Sequence, residues 1–337
     1  MTAVRDVPPS SAAASLPPPT SGEFGTESRA AVPPDELDRL ASQRVQPLRH
    51  PGRWVASLIA LVLVAQFGHA LISNPIFQWS SFRYWFFRPI ILDGLLLTLK
   101  LTAISAILGF AGGVLLALMR LSSSPLLKSI SWGYIWIFRS VPLIVLLLFL
   151  ANVSSLYQNL GIGVPFGPQL HDWKTIDLLG YEAAAILGLS LNEAAYASEI
   201  VRSGIISVDQ GQTEAASALG LPRHRQFSRI ILPQATRTIL PSYANQLIGL
   251  LKSTSVVYIT SLLELFGQVE TQGSTNPGQI IPLLMVGTVW YIVLTSVLSV
   301  FQYYVERYFS RGALRTVPAT PAQRILEIAR TRRGLGR

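Results

Sequence analysis

Four ionisable residues stand inside stretches of the chain that are otherwise apolar: Lys100, Arg139, Glu193 and Lys252. A charge at bilayer depth is costly, so it normally faces the protein interior or a water-filled path. Lys252 lies roughly 13 residues, or about 20 Å, into its stretch, and Glu193 lies about as deep from the opposite end. In a hydrocarbon core of about 30 Å the two fall within roughly two helix turns of one another in height. They are placed either to pair for architecture, with each other or with Arg139, or to flank a cavity for a polar solute; both roles stay open. Arg139 sits three residues before Pro142. That proline removes a helix hydrogen bond, so a kink with exposed carbonyls is expected, with a structural or ligand-binding role for the guanidinium. Lys100 lies about two turns from the end of its stretch, and its stem can snorkel to the interface. Glu199 and Arg202 are expected to pair on one helix face.

Nothing equips these residues for bond-making chemistry. No Ser/His/Asp arrangement is legible, and the four histidines (His50, His69, His171, His224) lack ligand spacing. The chain has no cysteine, which removes disulfides, thiol catalysis and cysteine-based metal sites. It has no Gly-x4-Gly-Lys-Ser/Thr phosphate loop. It is therefore expected not to be an enzyme and not to bind ATP, so any energy must come from a partner.

The elements that position these side chains are membrane helices. Half of the 337 residues are hydrophobic and 13% are charged, against roughly a quarter charged in an average soluble domain. A run of about 18 apolar residues is long enough to span, and 271–305 contains no Asp, Glu, Lys or Arg at all. Six spans are predicted, at 54–73, 94–119, 131–151, 178–200, 239–263 and 280–304, the third interrupted by Arg139 and Pro142. The fourth has the weakest apolar signal, since Glu182 and Glu193 bracket only ten uncharged residues. Residues 1–51 are rich in Pro, Ser and Ala and bury too little apolar surface to offset their ordering entropy. They are expected to be a disordered cytoplasmic tail with a short helix around 35–45. They are not expected to be a signal peptide, because the apolar run starts only near Trp54.

Charge fixes the expected orientation. With six spans, one side holds 21 of the 27 Lys and Arg residues, the other only Arg83, Arg88 and Lys174, and three lie inside spans. The positive-inside rule then places both termini in the cytoplasm. The same distribution accounts for the net charge of +9 without nucleic acid, for which no fold signature is present. Binding of the basic tails to anionic lipid headgroups fits better.

Between the fourth and fifth spans the chain reads Glu214-Ala215-Ala216, three residues, Gly220, nine residues, Ile230, one residue, Leu232-Pro233. Asp209 or Ser207 can cap a helix starting near Gln210. Ala215, Ala216 and Ala218 favour a helix and leave a smooth surface for close approach. Gly220 suits a left-handed stop, and Pro222 suits the first turn of a second helix. The small-residue face can pack on the chain's own spans or dock into another protein.

This spaced pattern resembles the signature of importer permeases of the ATP-binding cassette superfamily. Gly94-Leu95-Leu96-Leu97-Thr98-Leu99, Phe138-Arg139-Ser140-Val141-Pro142-Leu143, Leu191-Asn192-Glu193-Ala194-Ala195-Tyr196 and Leu251-Lys252-Ser253-Thr254-Ser255 are similar to its polar amino-acid branch. Ser140 and Glu193 depart from that branch, which has Gly and a small residue there.

The resemblance implies an all-α, polytopic helix bundle of the type I importer permease fold, with a five-helix core at 90–308; that branch usually has five spans and an outside N-terminus, and this chain adds an extra N-terminal span at 52–75 that places its N-terminus inside. A basic cytoplasmic tail would follow at 309–337. It implies a pair of permease subunits, identical or homologous. Their partners would be an ATPase dimer that carries ATP and Mg, and an extracytoplasmic amino-acid-binding protein. The coupling residues would be Glu214, Ala215, Ala216, Gly220, Ile230, Leu232 and Pro233. An amino acid carries an ammonium and a carboxylate, so Arg139, Asn192, Glu193, Lys252 and Thr254 are candidates for its path. The alternatives are a permease for another small solute, or a membrane scaffold or channel. Neither the cargo nor the pairing of permeases is legible.

Overall fold

The computed structural model describes residues 51–163 and 169–309. The expectations for the N-terminal tail and the basic C-terminal tail lie outside them. Contacts divide the chain into two units at Gly68/His69. The first described helix, α1 (Pro51–Ser73), runs across that division and carries the first expected span. It is apolar all round, as befits a helix facing lipid.

From His69 onward the element order is a short 3-10 turn, α2 (Trp79–Phe86), α3 (Pro89–Leu121), α4 (Pro125–Ser140), α5 (Leu143–Ala151) and α6 (Val153–Leu156). Next come β1 (Asn159–Gly163), β2 (Gln169–Lys174), α7 (Thr175–Leu178) and α8 (Tyr181–Ile206). After these follow α9 (Gln210–Ala218), α10 (Arg223–Gln226), a π-turn (Phe227–Ile231), α11 (Leu232–Ser253), a 3-10 segment (Thr254–Thr260), α12 (Leu265–Thr275) and α13 (Ile280–Phe309). The antiparallel β1–β2 hairpin is the departure from an all-helical chain among the described residues.

By length and apolarity three helices can cross a membrane, and up to five if each of two bent pairs is one span. The fourth expected span, α8, is a 26-residue helix carrying Glu182, Glu193, Glu199 and Arg202. Its buried face is almost entirely small: Ala184, Ala185, Gly188, Ala194, Ala197, Ser198 and Gly204 among others. Small residues let helix backbones approach closely, which is how membrane helices associate without a hydrophobic driving force.

The partner of that face is α3. A Cβ on Gly109 would lie 2.6 Å from Cβ and Cγ of Glu193, and one on Gly112 would lie 3.1 Å from Cβ of Ala194. A Cβ on Gly113 would meet that of Ala197. Gly109 and Gly113 are four apart, one turn on the same face. Tyr243 of α11 donates its hydroxyl to Ala106 O at 2.6 Å, and Tyr134 of α4 donates to Leu191 O at 2.9 Å. These bonds tie α11 to α3 and α4 to α8.

Two apolar clusters flank the pair. Leu101, Leu147, Ala185, Leu189, Leu250 and Val257 join α3, α5, α8 and α11. Trp85, Ile91, Leu265, Val269, Leu283 and Val286 join α2, α3, α12 and α13.

The third expected span is broken. α4 and α5 meet at 98°, because Pro142 cannot continue the α4 hydrogen-bond ladder. The fifth expected span, 239–263, starts earlier, as α11 from Leu232, and tightens to 3-10 at Thr254. It ends at Ser261, whose φ is +65°. α12 then leaves at 45°. Lys100, expected to snorkel, has an exposed side chain that pairs with Glu182 at the start of α8, with an Nζ–Oε1 separation of 2.5 Å. Glu199 and Arg202 pair as expected, at 2.7 Å.

Candidate functional site

The break at Pro142 opens a cavity of about 360 Å³ between the α4–α5 corner, α8 and α11. That size falls within the range of roughly 300–1,000 Å³ usual for small-molecule sites. Its polar lining is Arg139, Ser140, Asn192, Glu193, Tyr196, Gln246 and Ser253.

Each polar group has a local reason for its place. Pro142 has no N–H to give to Phe138 O, the acceptor four residues back. Asn192 supplies the missing donor: its Nδ2 lies 3.0 Å from Phe138 O. The corner is thus held open by a side chain of α8 rather than left with an orphaned carbonyl. Arg139 lies over the face of Tyr196, its guanidinium carbon 5.2 Å from the ring centroid, within reach of a cation–π contact. Glu193 is 2% exposed. Its Oε2 accepts from Gln246 Nε2 at 3.1 Å, while its Oε1 is buried without a hydrogen-bond partner. The cavity therefore presents a guanidinium and a half-satisfied carboxylate, the complement of a solute carrying both charges. Replacing Asn192 with leucine is expected to orphan Phe138 O and cost ~1–3 kcal/mol. A lowered unfolding temperature of the purified protein would register that cost, and an unchanged one would contradict the role given to Asn192.

Three of the five expected path residues, Arg139, Asn192 and Glu193, meet here. The other two do not. Lys252 opens on a second cavity with Ser255, Tyr291 and Thr295, and no ion pair joins it to Glu193 among the described residues. Thr254 is fully buried and spends its hydroxyl on Leu251 O at 2.7 Å. The reason is rotation about the helix axis: adjacent residues point about 100° apart, so Gln246, Leu250 and Ser253 face the first cavity and Lys252 turns away. The spacing of Leu189, Asn192/Glu193 and Tyr196, and of Gln246, Gly249/Leu250 and Ser253, was the signal available for Tyr196, Gln246 and Ser253.

Glu264 gave no such signal. It is fully buried and caps α12, accepting from the backbone N–H of Phe266 at 3.0 Å and of Gly267 at 2.9 Å. Tyr291 and Thr98 also donate to it, at 3.1 and 3.2 Å.

The loop after α8 has the expected local structure. Asp209 caps α9 by accepting from Gly211 N at 2.7 Å. Gly220, at φ +70°, ends it. Leu221 N reaches Ala216 O at 3.1 Å and Gly220 N reaches Ser217 O at 3.0 Å, the paired bonds of a Schellman stop. Gln226 Nε2 ties the turn back to Leu221 O at 2.7 Å.

The small-residue face is split. Ala216 is 2% exposed and packs inward, whereas Glu214, Ala215, Ala218 and Gly220 are exposed. Leu219 beside them is 79% exposed. Ile230 is half-buried, and Leu232 and Pro233 are exposed at the head of α11. The π-turn ends at Ile231, two residues before Pro233, whose missing N–H interrupts the α ladder. From Arg223 to Thr260 the backbone is one helical run, so the segment that follows α9 is continuous with Gln246 and Ser253 in the cavity wall.

Comparison with known proteins matches residues 109–311 to the family described as binding-protein-dependent transport system inner membrane component. The arginine transport system permease protein ArgU of Corynebacterium glutamicum is 42% identical over 279 residues, covering 81% of this chain and 85% of that one. The glutamate/aspartate import permease protein GltK of Escherichia coli O157:H7 is 36% identical, covering 68% of this chain and 98% of that one. Among solved structures, that of an amino acid ABC transporter with histidines superposes with a TM-score of 0.55 at 30% identity, covering 65% of this chain and 94% of that one.

Proposed function

The chain belongs to the binding-protein-dependent transport system inner membrane component family, and from that premise we propose how its parts work. It is the permease subunit of an ABC importer for polar amino acids, a multi-pass protein of the inner membrane. In our reading it has six spans, α8 being the fourth, and both termini lie in the cytoplasm, as the charge asymmetry favours. ATP and Mg are held by a partner ATPase dimer, and this chain binds no cofactor of its own. A second permease subunit completes the pore, and an extracytoplasmic binding protein delivers the amino acid.

The ATPase docks on the exposed face of α9, formed by Glu214, Ala215, Ala218 and Leu219. Gly220, Ile230, Leu232 and Pro233 shape the joint behind it. Closure of the ATPase then moves one helical run, and Gln246 and Ser253 move with it in the cavity wall. Arg139 and Asn192 would receive the carboxylate end of the amino acid and Glu193 a cationic group. Lys252 would act on the path only from the neighbouring cavity, and Thr254 only by shaping the 3-10 segment.

The observation that supports the path most is the buried Glu193 carboxylate with one oxygen left unpartnered in a solute-sized cavity. Glu193→Gln is expected to lower amino-acid uptake into proteoliposomes by roughly tenfold, the loss of one buried charge-assisted hydrogen bond. Lys252→Met, made on the second cavity, should change uptake less. Equal uptake by wild type and Glu193→Gln, with both assembled, would refute the path.

A further inference from the structure

A third cavity lies at the α3–α4 turn and shares no lining residue with the amino-acid cavity. It is lined by Arg120, Lys128, Ser129 and Trp132 and has a volume of about 330 Å³. Arg120 closes the last turn of α3. Its Nη1 is buried and has no hydrogen-bond partner, an expensive state for a charged donor. Lys128 stands in the first turns of α4, where no acidic residue accompanies it. A cation near a helix N-terminus opposes the helix dipole. Neither residue pairs with a carboxylate among the described residues, and between Asp93 and Asp172 the sequence contains no Asp or Glu. Two cations, a hydroxyl and the N-terminal end of a 16-residue helix thus converge on a space that no carboxylate lines among the described residues.

What continues from this space decides the class of anion. Lys128, Trp132 and Trp136 recur every four residues along α4, one stripe on one face. The two indoles are stacked, 6.2 Å between ring centroids and 5° between planes. They are 56% and 60% exposed, and Leu126 and Ile130 nearby are also exposed. A free inorganic anion has no use for that aromatic stripe. A molecule with a phosphate at one end and hydrocarbon at the other fits both: headgroup on Arg120 and Lys128, glycerol region at the tryptophans, acyl chain along α4. Tryptophan is enriched at that level of a bilayer. On the orientation proposed above, the turn faces the cytoplasm, where basic clusters attract anionic lipids.

We propose that Arg120, Lys128, Ser129 and Trp132 form a binding site for an anionic phospholipid of the cytoplasmic leaflet. The test uses the full chain in its assembled transporter, reconstituted in phosphatidylcholine nanodiscs with or without phosphatidylglycerol. Native mass spectrometry after mild delipidation reads the retained phosphatidylglycerol. Lys128→Gln should lower retention about fivefold and Arg120→Gln with Lys128→Gln further, whereas Arg237→Gln, an exposed charge elsewhere, should not. Lys128 is exposed, so its variant stays informative even where the double variant fails to fold. Retention equal to wild type in Lys128→Gln would overturn the site. A stabilisation by inorganic phosphate in pure phosphatidylcholine, lost in Lys128→Gln, would overturn the lipid in favour of a free anion. These outcomes leave the amino-acid path untouched, since no residue of that cavity is altered.

Discussion

Ala215→Asp is expected to cut amino-acid uptake by more than about tenfold while the permease still folds and inserts. Ala215 is exposed on α9, and its neighbour Leu219 is 79% exposed. An aspartate there meets water in the isolated chain and costs little. Docked against an ATPase it becomes a buried charge without a partner, which breaks such contacts strongly. The contrast with Ala216→Asp is the control. Ala216 is 2% exposed, and its carbonyl accepts the Leu221 N–H that ends the helix. Aspartate at 216 should unfold the loop itself, seen as rapid proteolysis between α8 and α11. The measurement is uptake together with ATPase stimulation in proteoliposomes. Wild-type uptake by Ala215→Asp would remove α9 as the docking element.

Gly109→Leu is expected to be strongly damaging to the membrane part. The first added carbon would already lie 2.6 Å from Cβ and Cγ of Glu193 and 3.3 Å from Ser190 O. Neither neighbour is the free end of a flexible chain, so α3 and α8 must separate. Overpacking of this kind costs ~1–3 kcal/mol or more, and separation also withdraws Glu193 from Gln246. Both a drop in unfolding temperature and loss of uptake should follow, with Gly109→Ala showing a milder form of the same pair. Gly133 in α4 supplies the comparison: a Cβ there meets nothing within 4 Å. Gly133→Ala should be neutral or gain up to ~1 kcal/mol from helix propensity. If Gly109→Leu were as stable as Gly133→Ala, the close α3–α8 packing described above would be wrong.

Local chemistry is legible in the sequence wherever its cause lies within one or two turns. Asp209, Gly220 and Pro222 specified the capped α9 and its stop, because a cap, a left-handed φ and a missing N–H act on immediate neighbours. Pro142 announced a break for the same reason. The pairing of Glu199 with Arg202 needed only a helix and a spacing of three. Hydropathy located the long helices, since bilayer thickness sets their length. The Glu182 partner of Lys100 was not legible, because it lies 82 positions away in the chain. Glu264 escaped because nothing near it marks the buried helix start that it caps.

The residues alone carry the long apolar helices, the charge asymmetry and the loop with its caps, and they give Glu193 and Lys252 a similar expected height. Only the tertiary structure decided which way those two side chains face. Height follows from counting residues at 1.5 Å each, whereas azimuth follows from which faces of neighbouring helices can touch. Glycines 109, 112 and 113 draw α3 onto α8. That contact turns Glu193 toward Gln246 and the Pro142 corner, and the rotation of α11 carries Lys252 to a different cavity. Two charges expected at one depth are thus held apart by packing, and one buried oxygen of Glu193 is left without a hydrogen-bond partner.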